Sequence, residues 1–312
     1  MSAHWIVIIN PFAGLNRSKK SFKKLLQLLD EKGIEHTAVY TEFANHLLDI
    51  LRDKAAEGHR NFIISGGDGS YHECVNAVFN QNVPANEFTF AFAPSGTGND
   101  WARTFGLDTK LNKFVNYLDV GYTLAIDVGK ISYIGPDNEM KAHYFANVAG
   151  TGYDTYIHLN YLTEKKLFGP ATYFINTLQA LASYKNVELE VEIDGEKQSG
   201  KYFIVAFAIC KYFGAGMKIA PHANPTDGKL AVTLIKDISK FEALQQLPRL
   251  KSGNFIDFHK VEILHAKHVK VSAPQSQYIE ADGELLGEAP FIVEVIPQVL
   301  NVIVPDNVSF SS

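Results

Sequence analysis

The chain has 312 residues, 46% of them hydrophobic and 20% charged, with a formal net charge of −5. That length suits one large or two medium domains with substantial cores, and the modest charge argues against overall disorder. The acidic balance points away from a nucleic-acid protein, whose binding domain is usually basic; it leaves room for a phosphate ligand held locally.

In chain order, "MSAHWIVIIN" carries no basic segment ahead of a long apolar one, so no signal peptide is expected. "HWIVII" (residues 4–9) reads as a short buried strand. Residues 18–32 place Phe22, Leu25, Leu26, Leu28 and Leu29 on roughly one helix face. "HTAVYT" (36–41) is strand-like, 44–58 helix-like, "NFIIS" (61–65) a strand, 70–79 a helix and "FTFAFA" (88–93) a strand. Such alternation implies a parallel sheet with helices on both faces. After residue 122 strand-like stretches dominate: 124–131, 143–148, 187–193, 201–209, 230–235, 261–265, 268–273, 277–281 and 291–295, with helical patterns at 153–162, 170–184 and 239–247. The expectation is an α/β domain over 1–121 and a mostly antiparallel β domain over 122–298. The strand-like "LNVIVP" lies in a tail (299–312) free to pack back on either. The longest apolar run, "FIVAFAIC" (203–210), falls far below the ~18 residues of a membrane span. A soluble cytosolic protein follows, with contact to a membrane surface left open. Cys74 and Cys210, far apart and amid apolar residues, read as buried free thiols.

Function concentrates where strands end. In "FIISGGDGSYHECV" (62–75) a buried strand runs into Gly66, Gly67, Asp68 and Gly69. Ser70 and Glu73 have the spacing of a capping box, which predicts a helix beginning at Ser70. Glycines let a ligand approach the backbone, and a helix N-terminus favours an anion. A carboxylate beside phosphates is repulsive unless a divalent cation, or a proton to be removed, intervenes. A tight βα turn with an exposed aspartate fits the same spacing. "FAFAPSGTGNDWAR" (90–103) repeats the grammar: Gly96, Thr97 and Gly98 precede Asn99 and Asp100, which open a short helix stopping near Gly106. "IINPFAG" ends the first strand in Asn10, Pro11 and, at its last position, Gly14. Three such ends converging on one sheet edge favour a nucleotide site over three unrelated loops. A Walker loop is disfavoured, because "GLNRSKKS" (14–21) has Lys19 where the second glycine must stand. A dinucleotide oxidoreductase is disfavoured too, since no G-x-G-x-x-G follows a strand and "GAG" (214–216) lacks the third glycine.

"NPFAG", "GGDGSYHE", "PSGTGNDWAR" and, near the C-terminus, "EADGELL" (280–286) resemble the characteristic blocks of the diacylglycerol kinase catalytic domain, shared by lipid and sphingoid-base kinases. Order and spacing match over nearly the whole chain. GGDG alone is weakly specific, since NAD kinases and 6-phosphofructokinases also carry it. Two positions depart: His72 stands where these kinases often have Asn, and Ser70 replaces the commoner Thr. The resemblance implies an N-terminal α/β domain of the NAD kinase/diacylglycerol kinase type, a C-terminal β-sandwich and an active site in the cleft between. It implies ATP and Mg²⁺, a lipid substrate met at a membrane surface (the cytoplasmic, inner face), and a homodimer.

Phosphoryl transfer to a hydroxyl needs phosphates held in line, negative charge offset and the alcohol proton accepted. The amides of Gly66, Gly67 and Gly69, with Ser70, would hold phosphates. The resemblance adds Asn10, Pro11, Gly14, Thr41, Glu73, Thr97, Asn99 and Asp100 to the nucleotide site, and gives Asp68 the catalytic Mg²⁺. Asp282 and Glu284 flank Gly283; if that segment is extended, both carboxylates share a face. The resemblance favours Glu284 as base with Asp282 near the metal, and Asp68 as second choice for base. A hairpin turn "ADGE" with solvated charges is the plain alternative. "HANPTDGKL" (222–230) resembles the segment that carries a structural Mg²⁺, with Asp227 as ligand beside Asn224 and Lys229; a simple Asp-Gly turn fits equally. Lys19, Lys20, Lys23 and Lys24 read as a solvated helix face, with a membrane-surface role as the alternative. His265 and His268 are not read as a metal pair. The aromatic-rich helices "YDTYIHLNYL" and "FGPATYFINTLQAL" read as core, with a border on an acyl-chain cleft as the alternative. The expected activity is an ATP- and Mg²⁺-dependent lipid kinase. Competing readings are a soluble-substrate kinase related to NAD kinase or phosphofructokinase, and a non-catalytic nucleotide-binding regulator. No motif identifies the lipid acceptor.

Overall fold

The structure, a computed structural model, describes residues 4–13, 18–107, 109–161, 170–306, 308 and 310. Its first half alternates as the periodicity predicts: β1 (Trp5–Ile9), α1 (Ser18–Glu31), β2 (His36–Tyr40), α2 (His46–Ala56), β3 (Asn61–Gly66), α3 (Asp68–Phe79), β4 (Thr89–Pro94), α4 (Asp100–Thr104) and α5 (Leu111–Val120). The strands are parallel in the order β2-β1-β3-β4. Side-chain alternation along each strand sorts the two faces. Val7, Ile9, Ile63 and Ala91 pack with Phe22, Leu25 and Leu29 of α1 and with Phe114 and Val115 of α5. Ile6, Ile8, Phe62, Ile64, Phe90 and Phe92 pack with α2 and α3. Helix α5 was missed in the sequence reading, although Leu111, Phe114, Val115 and Leu118 recur at helical spacing and pack on the sheet.

The second half contains β5 (Tyr122–Ile134), β6 (Met140–Phe145), β7 (Val148–Gly152), α6 (Tyr153–Tyr161), α7 (Pro170–Ser183), β8 (Val187–Ile193), β9 (Glu196–Ala208), β10 (Leu230–Lys236), α8 (Lys240–Ser252), β11 (Val261–Ala266), β12 (His268–Ser272), β13 (Tyr278–Ala281) and β14 (Glu284–Val304). Their mutual pairings are antiparallel, and the path β11-β10-β9-β7-β13-β14 continues into β4 and the parallel strands. Helix α8 begins in a capping box, Ser239 with Glu242, and runs through Pro248 to Ser252, beyond the expected 247.

Strand β14 corrects the sequence reading most. The stretch 291–295 and the tail read as separate strands, yet they are parts of one 21-residue strand. Proline and turn-like residues within it are taken up by irregularities: register against β5 shifts between Ile296 and Leu300, and Gln298 is left-handed at φ 48°. Its far end pairs parallel with β4, Asn301 opposite Thr89 and Val302 opposite Phe90. The tail strand therefore sits on the edge of the parallel sheet, and one hydrophobic core runs from Ile6 and Phe62 through Val302 and Leu300 to Val128 and Phe207. The expected strand 143–148 is also two strands, because the chain turns at Ala146–Asn147.

Gly129 of β5 is buried opposite Phe145 of β6; a Cβ there would lie 2.1 Å from the ring. Gly129→Ala is expected to destabilise the fold by about 1–3 kcal/mol through overpacking, read as a lower denaturant midpoint. An unchanged midpoint would contradict the packing described.

Candidate functional site

Strands β1, β3 and β4 end side by side, Ile9 opposite Ser65 and Ser65 opposite Ala93. The Asn10 amide donates to Ser65 O (3.0 Å), and its Nδ2 donates to Ser70 Oγ (3.0 Å). Thr41, closing β2, is buried and donates its N–H to Ile9 O (2.9 Å). The two glycine turns meet back to back. A Cβ on Gly96 would stand 2.6 Å from Gly67 Cα, and one on Gly67 2.9 Å from Gly96 Cα, so only glycine permits this approach. Gly66 is closed off by Ser70, whose Oγ would lie 2.3 Å from an added Cβ. Gly69 faces open space, and Thr97 is exposed. Asn99, left-handed at φ 52°, exchanges two hydrogen bonds with Gly96, accepting from its N–H and donating to its C=O (3.1 and 2.9 Å). Pro11 lies in the turn after β1, while Gly14 falls outside the described residues.

The capping box expected at Ser70 does not form. Helix α3 starts at Asp68 with Gly67 as N-cap and no side-chain cap. Ser70 is buried and engaged by Asn10, and Glu73 instead accepts the Asn45 N–H (3.4 Å). Spacing matched the motif, but the preceding glycine already starts the helix two residues earlier.

Asp68 and Asp100 face one another across Gly98: a Cβ there would be 2.8 Å from Asp68 Oδ2 and 3.8 Å from Asp100 Oδ2. Asp68 Oδ1 accepts the Trp101 N–H (3.3 Å) at the start of α4. Burial raises the Asp68 carboxyl above its ordinary pKa, and the Asp282 charge adds to this, against the α4 amides. Asp100 is pushed up to about 6, chiefly by burial and further by Asp68. Its Oδ2 accepts the Ala215 N–H (2.7 Å), while Oδ1 is buried without a hydrogen bond, 3.6 Å from Arg103 Nε. Two crowded carboxylates, one with an orphaned oxygen, form a donor set that fits a hard divalent cation.

The conditional expectation of an extended Asp282–Glu284 segment is overturned. Asp282 (φ 49°) and Gly283 (φ 88°) form the two-residue turn between β13 and β14, with Ala281 paired to Glu284. Asp282 Oδ2 accepts from Ala146 N (3.1 Å) and His72 Nδ1 (3.3 Å); Oδ1 accepts from Asn147 N (3.2 Å) and Val148 N (3.0 Å). With four donors on two oxygens, Asp282 holds structure together and is poorly placed to serve a metal. Glu284 is exposed, and its charge acts on both His72 of α3 and His158 of α6. Its charge is thus felt by helices of both halves of the chain.

An apolar pocket opens beside α6 and β13, lined by Ile157, Leu181, Ile204, Ile219, Leu247 and Leu250 among others. Its polar lining comprises Asp154 and Glu280, with Gln246 and Thr177. Asp154 sits over Gly150 and accepts the Thr155 N–H (2.7 Å). Burial, then the charge of Glu280, pushes its carboxyl well up. Glu280 lies 3.6 Å from His158 Nδ1 and two residues before Asp282. Sequence reading missed Asp154 and Glu280; "GTGYD", a glycine-rich strand running into a helix, was the available signal. It read the helices of Tyr153 and Leu181 as core, with a border on a cleft as the alternative; residues of both line this pocket.

The 222–230 loop is a closed turn. Asp227 Oδ1 accepts the Lys229 N–H (3.0 Å), and Asn224 Oδ1 accepts from Thr226 N and Oγ1 (3.1 and 2.8 Å). Behind it, buried Asp127 accepts from Gly228 N and Gln298 N (both 2.8 Å) and is pushed up to about 6, chiefly by burial. The segment is an Asp-Gly turn, a geometry common to both readings, and Asp127, which spacing did not reveal, anchors it. Among the described residues no cluster of three or more His, Cys, Asp or Glu side chains suits a metal ion.

The diacylglycerol kinase catalytic domain model matches residues 4–131, and the YegS C-terminal NAD kinase beta sandwich-like domain model matches residues 147–304. A diacylglycerol kinase of Mycobacterium tuberculosis is 27% identical over 300 residues, covering 96% of this chain and 94% of that protein. One of Bacillus subtilis is 26% identical over 286 residues, covering 91% and 90%. A crystal structure of a diacylglycerol kinase from Bacillus anthracis superposes with a TM-score of 0.74 at 17% identity, covering 99% of this chain and 98% of that one. The expected architecture, an α/β domain of this type followed by a β-sandwich-like domain, holds.

Because folding raises the Asp100 pKa to about 6 from 3.8, the unfolded chain releases this proton first as pH rises. Stability is thus unaffected below about pH 4, falls between pH 4 and 6, and carries the full penalty above. Without nucleotide or divalent cation, Asp100→Asn is expected to be more stable than the parent at pH 8, by on the order of 1–3 kcal/mol, and equal to it at pH 4. Melting curves at the two pH values check this; destabilisation at pH 8 alone would refute it.

Proposed function

The chain belongs to the diacylglycerol kinase family of lipid kinases, which are phosphotransferases, and on that premise we propose that it moves the γ-phosphate of ATP to the hydroxyl of a membrane lipid such as a diacylglycerol. The observation that carries this reading is an apolar pocket whose lining includes Glu280, on the strand that runs into the Asp282–Gly283 turn bonded by His72 of α3. The pocket suits acyl chains and has no use for a soluble sugar or nucleotide acceptor.

In this reading the Gly66–Gly67 and Gly96 turns cradle the phosphates, with Asn10 and Thr41 shaping the edge. Asp68 and Asp100 hold Mg²⁺, which would offset charge on the phosphates. Their own repulsion and the orphaned Asp100 oxygen support that assignment. Asp154 and Glu280 meet the polar head of the acceptor. Glu284 accepts the hydroxyl proton as the acceptor oxygen bonds to the γ-phosphorus and the bond to the bridging oxygen breaks, releasing ADP. Asp282 orients the turn. ATP as donor places the reaction at the cytoplasmic face; among the described residues no helix is long and apolar enough to cross a membrane.

ATP turnover should require Mg²⁺ and rise on adding vesicles that contain diacylglycerol; turnover indifferent to lipid would sink the reading. Glu284→Gln is expected to lower kcat by about 10²–10⁴-fold, the usual reach of a general base, with ATP binding retained. Asp68→Asn should abolish Mg²⁺-dependent turnover. Leu181→Trp, which fills the pocket, should raise KM for a long-chain acceptor and leave KM for ATP unchanged.

A further inference from the structure

Helix α3 carries two residues that face the cleft one turn apart, Asp68 and His72. His72 is buried, with Nδ1 3.3 Å from Asp282 Oδ2 and Nε2 2.9 Å from His143 Nε2 on β6. One turn further along, Asn76 pins the arrangement: it donates to His72 O (3.1 Å) and Tyr144 O (2.8 Å) and accepts the Tyr144 N–H (3.0 Å). The amides that hold Asp282 all come from residues 146–148, in the same half of the chain as the turn they hold. His72 adds a direct side-chain bond from Asp282 to the helix that carries Asp68, beside the Asn76 bonds to Tyr144.

We propose that His72 is a positioning residue, whose Nδ1–H bond to Asp282 aims the Asp282–Gly283 turn, and with it Glu284, at the phosphates. The proposal rests on the reading of Glu284 as proton acceptor. A helix is rigid over one turn, so α3 transmits the placement of Asp68 to Asp282 with little play. A carboxylate only accepts hydrogen bonds, so Nδ1 carries the hydrogen. In the neutral ring Nε2 is then an acceptor, served by His143 Nε2–H. The two nitrogens can be separated by substitution. Asn at position 72 places an amide where Nδ1 stood and retains a donor to Asp282. Gln reaches toward the Nε2 position and loses that donor.

The test compares kcat, KM for ATP and melting temperature for His72→Asn, His72→Gln and Glu284→Gln, on diacylglycerol vesicles. Expected is that His72→Asn keeps most of the parent kcat while His72→Gln loses about tenfold or more, as for a misaimed catalytic group. KM for ATP should stay near the parent value in both, and their melting temperatures should agree. Equal kcat for the two overturns the proposal; so does a kcat loss that follows melting temperature, which would make the role one of packing. Full turnover by Glu284→Gln would remove the acceptor on which the proposal stands. Inactive Glu284→Gln beside fully active His72→Gln would leave the acceptor reading standing and defeat the positioning alone.

Discussion

Four donors converge on the Asp282 carboxylate: three successive amides, of Ala146, Asn147 and Val148, and the His72 imidazole. Hydrogen bonds to an ionised acceptor are among the stronger ones available to a protein, and these cover a buried charge that would otherwise be costly. Much of the cleft follows from them. They bend the chain where β6 gives way to β7, fix the β13–β14 turn, and tie both to α3. Glu284, Glu280 and Asp68 are each within four residues of a member of this knot, so their relative placement is decided by it.

A second constraint is the absence of side chains where Gly67 meets Gly96. It brings the β3 and β4 turns close enough for Asp68 to accept an amide from α4 and for Asp100 to lie beside it. The result is an accumulation of negative charge at the carboxyl edge of a parallel sheet, where helix N-termini favour anions. Burial pushes both carboxyl pKa values up, and the charge of a neighbouring carboxylate adds to this in each case. In the proposed reaction a cation shared by carboxylates and phosphates would offset this charge. The pocket beside α6 and β13 has the opposite character, apolar apart from a few groups that include Asp154 and Glu280. The proposed reaction uses this contrast, with charged donor on one side of the proton acceptor and apolar acceptor chains on the other.

Much of the α/β half was legible, because burial on alternate strand positions and on one helix face leaves a periodic trace. The glycine turns were legible because few other residues could occupy them. Errors came where a residue's partner is remote. Ser70 and Glu73 have capping-box spacing, but Asn10 and Asn45 claim them. Asp282 and Glu284 look like neighbours on one strand face, yet left-handed backbone at Asp282 and Gly283 turns the chain between them. Pro297 and its neighbours look like a strand break, yet β14 absorbs them as an irregularity while its ends stay paired with β5.

The order of elements, the three glycine-lined strand ends and the acidic residues available to a phosphate site are determined by local chemistry, and the sequence alone carries them. Which carboxylate is tied down and which is free was decided by the tertiary structure. Asp282 and Glu284 are the same kind of group two positions apart, and only the amides of residues 146–148 and the ring of His72 tell them apart. The same holds for Asp127, Asp154 and His143, whose surroundings come from segments distant along the chain. Local pattern records what a residue can do; burial and the hydrogen bonds of remote neighbours set what it does.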